Sequence, residues 1–380
     1  MGVRYPPYDY NRPPLVASDR FLQRDAACTW RRSYSAETVH NLRGPERVRG
    51  QGARTCWVQA IVASDCVRAL EALSAAAPEA LVSTAPPPPA AVPAIWWVRV
   101  LARIPLAALY GVAHLVAWMA YRVVPYRKQL VQASLATAFP ELSEGELRAV
   151  RHRYYLRFAQ MAVELIKASA FAPAEIRRRV RIVNLEEPQA LLAQGQSVLL
   201  IAAHQSNWEW MLLALSLELG YPLDAAYKPL ANDWAEHEMK KLRTRFGSRL
   251  VPAKELLLDI LRRHGVVRAI AMVADQEPTT SERRYWTRFL NRDTAFYMGP
   301  EEIARVTRFP VFFIAMRRRA HGYYEMEFLP LAAAGGAMPP GALTERYARL
   351  VEAQIHAAPP DWLWSHKRWK LKKSLYQNRC

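Results

Sequence analysis

The chain has 380 residues, 51% hydrophobic and 23% charged, and its 52 Lys and Arg outweigh 34 Asp and Glu to leave a formal net charge of +18. So apolar a composition excludes a wholly disordered chain and suffices for one large domain or two ordinary ones. Cys28, Cys56, Cys66 and Cys380 form neither a CxxC nor a Cys/His ligand spacing, which speaks against a disulfide framework and a metal site, and 15 glycines against 27 prolines speak against a glycine-rich dinucleotide loop.

Residues 1–90 read as a poorly structured extension. They open on Tyr, Pro and Arg without period (MGVRYPPYDYNRPP), offer one short helix over Val58–Ala75, and end in a semi-rigid Pro86–Pro89 linker. No apolar h-region follows the opening Met, so no secretory signal is expected. Pro6 stands where a myristoylation site needs Ser or Thr.

Residues 91–128 predict a membrane-anchoring helix. Ile104 to Tyr121 is 18 residues without a formal charge, near the lower limit for a bilayer span. Trp96, Trp97 and Trp118 suit a membrane interface, and Arg99, Arg103, Arg122, Arg127 and Lys128 flank the apolar stretch. His114 in the middle counts against a lipid-buried centre. A helix lying in one leaflet, or a buried core helix, is the alternative to a span.

From 129 to 380 the pattern predicts an α/β domain with a mostly parallel central sheet flanked by helices. Ser143 caps a helix running through Leu165. Buried strands are expected at Ser197–Ala203, Leu223–Tyr227, Val267–Ala274 and Pro310–Met316, with an alternating edge strand at Tyr323–Phe328. Helices are expected at Trp208–Glu218, Trp234–Phe246, Glu255–Arg263, Glu301–Arg308 and Leu343–His356.

The stretch SVLLIAAHQSNWEW carries the chemistry. A buried strand ends at His204, and a helix follows that Ser206 or Asn207 can cap; the carboxyl end of such a strand is where open α/β sheets bind ligands. His204 and Glu209 can meet only if His204 sits on the turn and Glu209 in the early helix. Such a pair makes an imidazole base with a carboxylate on its other ring nitrogen, and it needs no nucleophilic Ser when the acceptor alcohol itself attacks. No GxSxG, Walker loop or HExxH is present. A strand-end His and a solvent-facing Glu remain the plainer reading of these two residues alone.

The HQSNWE pair resembles the His-x4-Asp/Glu signature of glycerolipid-type acyltransferases. Together with AAYKPLANDW, RTRFGSRLV, VADQEP, RFLNRDTAFYMGPEEIA and PPDWLWSHKRWK, it resembles the Kdo2-lipid A lauroyl and myristoyl acyltransferases from about Trp96 to Lys373. The resemblance implies a cofactor-free O-acyltransferase, with acyl carrier protein as donor and a hydroxyl of an anionic glycolipid, the lipid A precursor, as acceptor. It also implies work at the cytoplasmic side of the inner membrane. It gives His204 the role of base and Glu209 that of its orienting partner. Lys228, which stands where the family usually has Arg, is expected at the substrate, with Arg243, Arg245, Asp275, Gln276, His366 and Arg368. Asp275 orients a basic residue, lines the pocket mouth or caps a loop; Phe289 and Phe296 line the acyl pocket or are plain core.

Positive charge suits such anions. The segment from Ser365, with Lys367, Arg368, Lys370, Lys372, Lys373 and Arg379 interleaved with Trp362, Trp364 and Trp369, is expected at membrane headgroups, with Arg317, Arg318 and Arg319 adding to it. A lysophospholipid acceptor keeps the chemistry, and a non-catalytic basic adaptor at the membrane surface uses the charge alone. Nucleic acid is not expected as a partner, since no helix-turn-helix, zinc or RNP signature is present.

Overall fold

The computed structural model describes residues 96–373 apart from Pro125, Thr280, Ser281 and Ala337. The extension over residues 1–90, with its expected helix at 58–75, lies outside the described residues.

The apolar N-terminal stretch is two helices, α1 (Trp96–Arg103) and α2 (Leu106–Arg122). Pro105 separates them: its ring lacks an N–H and drives the preceding residue out of helical geometry. The expected span is therefore not formed. The 17 residues of α2 reach only about 25 Å, and no helix among the described residues is long and apolar enough to cross a membrane. The helix is two-faced instead. Leu106, Leu109, Ala113, Ala117 and Tyr121 are buried, while Val112, Leu115, Val116, Trp118 and Met119 are exposed.

Two more helices follow, α3 (Lys128–Ala138) and the long α4 (Glu144–Ala168), against which α2 packs. Ser143 and Glu146 close a reciprocal capping box at the start of α4, satisfying two N–H groups that a helix end leaves bare. The remaining elements are α5 (Pro173–Arg179), β1 (Val180–Ile182), α6 (Glu186–Ala193), β2 (Val198–Ala202), α7 (Trp208–Glu218), β3 (Leu223–Tyr227), α8 (Asp233–Arg243), β4 (Arg249–Pro252), α9 (Leu256–Arg262), β5 (Ala269–Val273), β6 (Arg284–Phe289), β7 (Arg292–Tyr297), α10 (Gly299–Thr307), β8 (Val311–Ala320), β9 (Tyr323–Ala332) and α11 (Ala342–Ala357).

The central sheet has the order β1-β9-β8-β2-β5-β3-β4. Neighbours run parallel except the β8–β9 pair, so β9 and β1 oppose the other five strands. All five residues of β2 are buried, as a continuous apolar run in a covered parallel sheet requires. The strand at Tyr323 is not the expected alternating edge: β1, too short to stand out in the sequence, covers it, and Tyr324, Glu325 and Met326 are all buried. The β6–β7 hairpin carries too many polar residues, and β4 is too short at four residues, to read as buried strands.

The basic C-terminal segment is only partly exposed: Lys367, Lys370 and Lys372 face outward, while two of its tryptophans and Arg368 turn inward. Trp362 and Trp364 are 3% and 1% exposed, and Arg368 is buried. A 3-10 turn at Pro359–Asp361 leads this segment across the sheet end, where Leu363 N donates to His204 O and Ser206 N donates to Asp361 O. The Arg317–Arg319 run is likewise spent internally: Arg317 and Arg319 pair with Glu325, and Arg318 with Glu164.

Glu164 is a fully buried charge in this arrangement. Its carboxylate accepts from Tyr110 Oη (2.8 Å), Asn207 Nδ2 (2.8 Å), Tyr324 Oη (2.6 Å) and Arg318 Nη1 (3.1 Å), tying α2, α4, the start of α7 and the antiparallel pair β8 and β9 together. Removing one partner of a buried pair strands the other. Glu164→Ala should therefore cost roughly 3–5 kcal/mol in denaturant unfolding, whereas Glu218→Ala, which breaks the exposed pair with Arg177, should cost under about 1 kcal/mol. Equal losses would contradict this account of the cluster.

Candidate active site

Strands β2 and β5 are parallel neighbours with Ala202 opposite Val273. Two residues further on, His204 and Asp275 therefore leave the sheet side by side. His204 Nδ1 lies 2.6 Å from Asp275 Oδ1, while Asp275 Oδ2 accepts from His204 N (3.1 Å) and Trp362 Nε1 (2.8 Å). A carboxylate oxygen only accepts, so in the neutral ring Nδ1 carries the proton and Nε2 presents its lone pair. Complete burial on its own raises the Asp275 carboxyl; the facing imidazole and the N–H donors outweigh it and hold the carboxyl below the usual carboxylate range.

The expected contact between His204 and Glu209 is not the one made. Glu209 takes the second position of α7 and forms a two-pronged pair with Arg243, Nε to Oε2 at 2.8 Å and Nη2 to Oε1 at 2.6 Å, while Trp208 Nε1 donates to the same carboxylate at 3.1 Å. The turn that separates the two residues is tightly determined. Ser206 is left-handed at φ 58°, Asn207 caps α7 by accepting from Trp210 N, and Glu164 holds the Asn207 amide. The ring of Trp208 stands edge-on to that of His204, with centroids 4.9 Å apart.

Beside the imidazole opens a cavity of about 290 Å³. His204, Glu209, Lys228, Arg243 and Gln276 give it a polar side, and Leu200, Met211, Leu215, Ala271, Ile303 and Ile314 an apolar one. Gln276 Nε2 is 3.2 Å from His204 Nε2. Among the described residues no group of three or more His, Cys, Asp or Glu side chains is placed to hold a metal ion.

Three expected site residues are elsewhere. Arg245 donates through Nη1 to Ala168 O at 2.6 Å, closing the carboxyl end of α4, where a cation suits the exposed carbonyls. Arg368 lies fully buried over the Phe296 ring at 4.7 Å, and burial pushes its guanidinium down to about 10, still charged at neutral pH. His366 is half-buried near Asp275, His204, Arg368 and Lys370 but outside the cavity lining. Phe289 and Phe296 pack edge-to-face in the core at 5.1 Å. A residue that sequence reasoning placed elsewhere, Trp362, donates straight to Asp275; its position just before the basic motif was the available signal.

The comparisons with known proteins fit this geometry. Residues 91–371 match the family model described as bacterial lipid A biosynthesis acyltransferase. The chain belongs to that family. It is 24% identical over 277 residues to the lipid A biosynthesis lauroyltransferase of Escherichia coli (strain K12), covering 71% of this chain and 88% of that protein. It is 20% identical over 295 residues both to the palmitoleoyltransferase of the same strain and to a lipid A biosynthesis acyltransferase of Shigella flexneri, each covering 74% of this chain and 92% of the relative. The protein is an acyltransferase of the lipid A biosynthesis family.

Burial drives the His366 imidazole of this acyltransferase down to about 4, with His204, Arg368 and Lys370 also opposing its charge and Asp275 favouring it. An unfolded His binds a proton below its ordinary value of 6.5, while the folded one resists until about 4. Stability contributed by a neutral His366 is therefore complete above pH 6.5 and falls as the pH drops towards 4. His366→Gln should shrink the difference in Tm between pH 7 and pH 5; an unchanged difference would contradict the assignment.

Proposed function

We propose that the protein moves a fatty acyl chain from the thioester of acyl carrier protein to a hydroxyl of a lipid A precursor. The observation that carries this reading is the His204 imidazole, held by Asp275 on one nitrogen at the polar side of a cavity whose other side is apolar. The lone pair of Nε2 accepts the proton of the acceptor hydroxyl as that oxygen attacks the thioester carbonyl; Asp275 fixes the tautomer and stabilises the imidazolium that forms. The protein thus uses Asp275 where the sequence pattern suggested Glu209. Glu209 instead anchors Arg243 at the cavity wall, where the guanidinium and Lys228 suit phosphate and carboxylate groups of an anionic acceptor.

The apolar side of the cavity suits an acyl chain, since hydrocarbon leaves water most favourably for a concave apolar surface. The exposed apolar face of α2, with Arg103 at the end of α1 before it and Arg122 at its own carboxyl end, suits a bilayer surface from which a lipid acceptor is drawn. On this reading the enzyme works at the cytoplasmic face of the inner membrane. An acidic carrier protein finds a matching excess of +18 on the chain.

In a transfer assay with acyl carrier protein thioester and lipid A precursor, His204→Ala should abolish product and Glu209→Ala should reduce turnover by roughly 100-fold or more as Arg243 loses its anchor. Wild-type turnover by His204→Ala would remove the base. Mass spectrometry of lipid A from a deletion strain should show one secondary acyl chain missing; unchanged lipid A with altered phospholipids would contradict the acceptor.

A further inference from the structure

Gln276 stands at the reacting nitrogen without a task in the reading above. It follows Asp275 at the end of β5, lines the cavity, and brings its amide to 3.2 Å from His204 Nε2. Because Asp275 takes the Nδ1 proton, the group facing Gln276 is a lone pair, and only the amide N–H satisfies it. We propose that Gln276 supplies the oxyanion-stabilising hydrogen bond of acyl transfer, and that the acceptor hydroxyl, by taking the Nε2 lone pair, releases it for that purpose. The inference rests on His204 acting as the base.

The acceptor hydroxyl first takes the Nε2 lone pair, and the amide gives way. The hydroxyl oxygen then forms a bond to the thioester carbonyl carbon. Its proton passes to Nε2, and the π pair of the carbonyl moves onto oxygen. At that moment Nε2 is an N–H with no lone pair and has nothing to offer Gln276. The amide, displaced by the acceptor hydroxyl and kept from returning by the proton on Nε2, donates instead to the oxyanion formed in the cavity it lines. Collapse restores the carbonyl, breaks the C–S bond, and returns the proton from Nε2 to the departing thiolate. The regained lone pair then takes Gln276 back.

A donor whose acceptor oxygen gains charge as the bond forms favours the transition state over the ground state, which is what accelerates a reaction. Its N–H is never left bare in an apolar cavity. Asp275 and Gln276 thus divide the work at the end of one strand: the first fixes Nδ1, and the second answers to the state of Nε2.

Gln276→Met keeps the length of the side chain and removes the donor; Gln276→Ala removes both. Each should lower kcat roughly 100-fold, in the range measured for single oxyanion donors, with KM for the thioester changed by less than about twofold. A phosphonate analogue of the acyl thioester, which carries the oxyanion, should bind more weakly by the same factor. A thioether analogue lacking that oxygen should bind as it does to the wild type, which also reports a folded cavity. Wild-type kcat in Gln276→Met would overturn the proposal and hand the role to backbone N–H groups at the start of α7. A fall in kcat with unchanged phosphonate affinity would overturn it too, reducing Gln276 to a prop for the imidazole. An inactive His204→Ala beside a fully active Gln276→Met would sink this inference alone, whereas an active His204→Ala would sink the base.

Discussion

A fully buried carboxylate is tolerable only where donors surround it, and the end of the sheet is built to supply them to Asp275. Three N–H groups reach it, from the His204 ring, the His204 backbone and the Trp362 indole. The last requires the C-terminal segment to cross the sheet end, and the first two require β2 and β5 to finish level with each other. Strand order, register and the path of the C-terminal segment are thus all conditions for one hydrogen bond to an imidazole nitrogen. Glu164 adds a second buried anchor from the other side, holding the Asn207 cap from which the helix of Glu209 starts.

The charge of the chain is distributed differently from what its total suggests. Arg243, Arg318 and Arg317 are each committed to a carboxylate, and Arg245 to a helix end. Arg368 is buried without a hydrogen-bond acceptor on any of its three nitrogens, held by the Phe296 face and the field of Asp275 and Glu277. Arg318 and Arg245 tie together elements far apart in sequence, while Arg243 keeps its place at the cavity wall. Lys228 is the expected basic residue left exposed at the cavity.

Much of the fold was legible because its signals are local. The apolar runs at Leu223–Tyr227 and within Ser197–Ala203 are strands, α7 spans the residues its pattern predicts, and Ser143 caps α4. His204 was legible for the same reason, as a polar residue ending a buried strand. Its partner was not. Asp275 lies 71 residues away, and only knowledge that β5 is the neighbour of β2 brings it adjacent; five-residue spacing favoured Glu209, whose side chain turns instead to Arg243. The tryptophans of the C-terminal segment misled by composition: beside lysines and arginines they look interfacial, but an indole N–H finds a buried carboxylate equally well. Pro105 was visible in the sequence, and its effect on the apolar stretch outweighed the count of uncharged residues.

The most direct test of the central claim is the tautomer of His204, read from side-chain 15N resonances of histidine-labelled, ligand-free protein with His204→Ala for assignment. The account requires a protonated Nδ1 and a lone pair on Nε2 in the wild type, with this preference lost in Asp275→Asn and kept in Glu209→Gln. A protonated Nε2 on a neutral ring in the wild type, or a tautomer that follows Glu209 rather than Asp275, would contradict it.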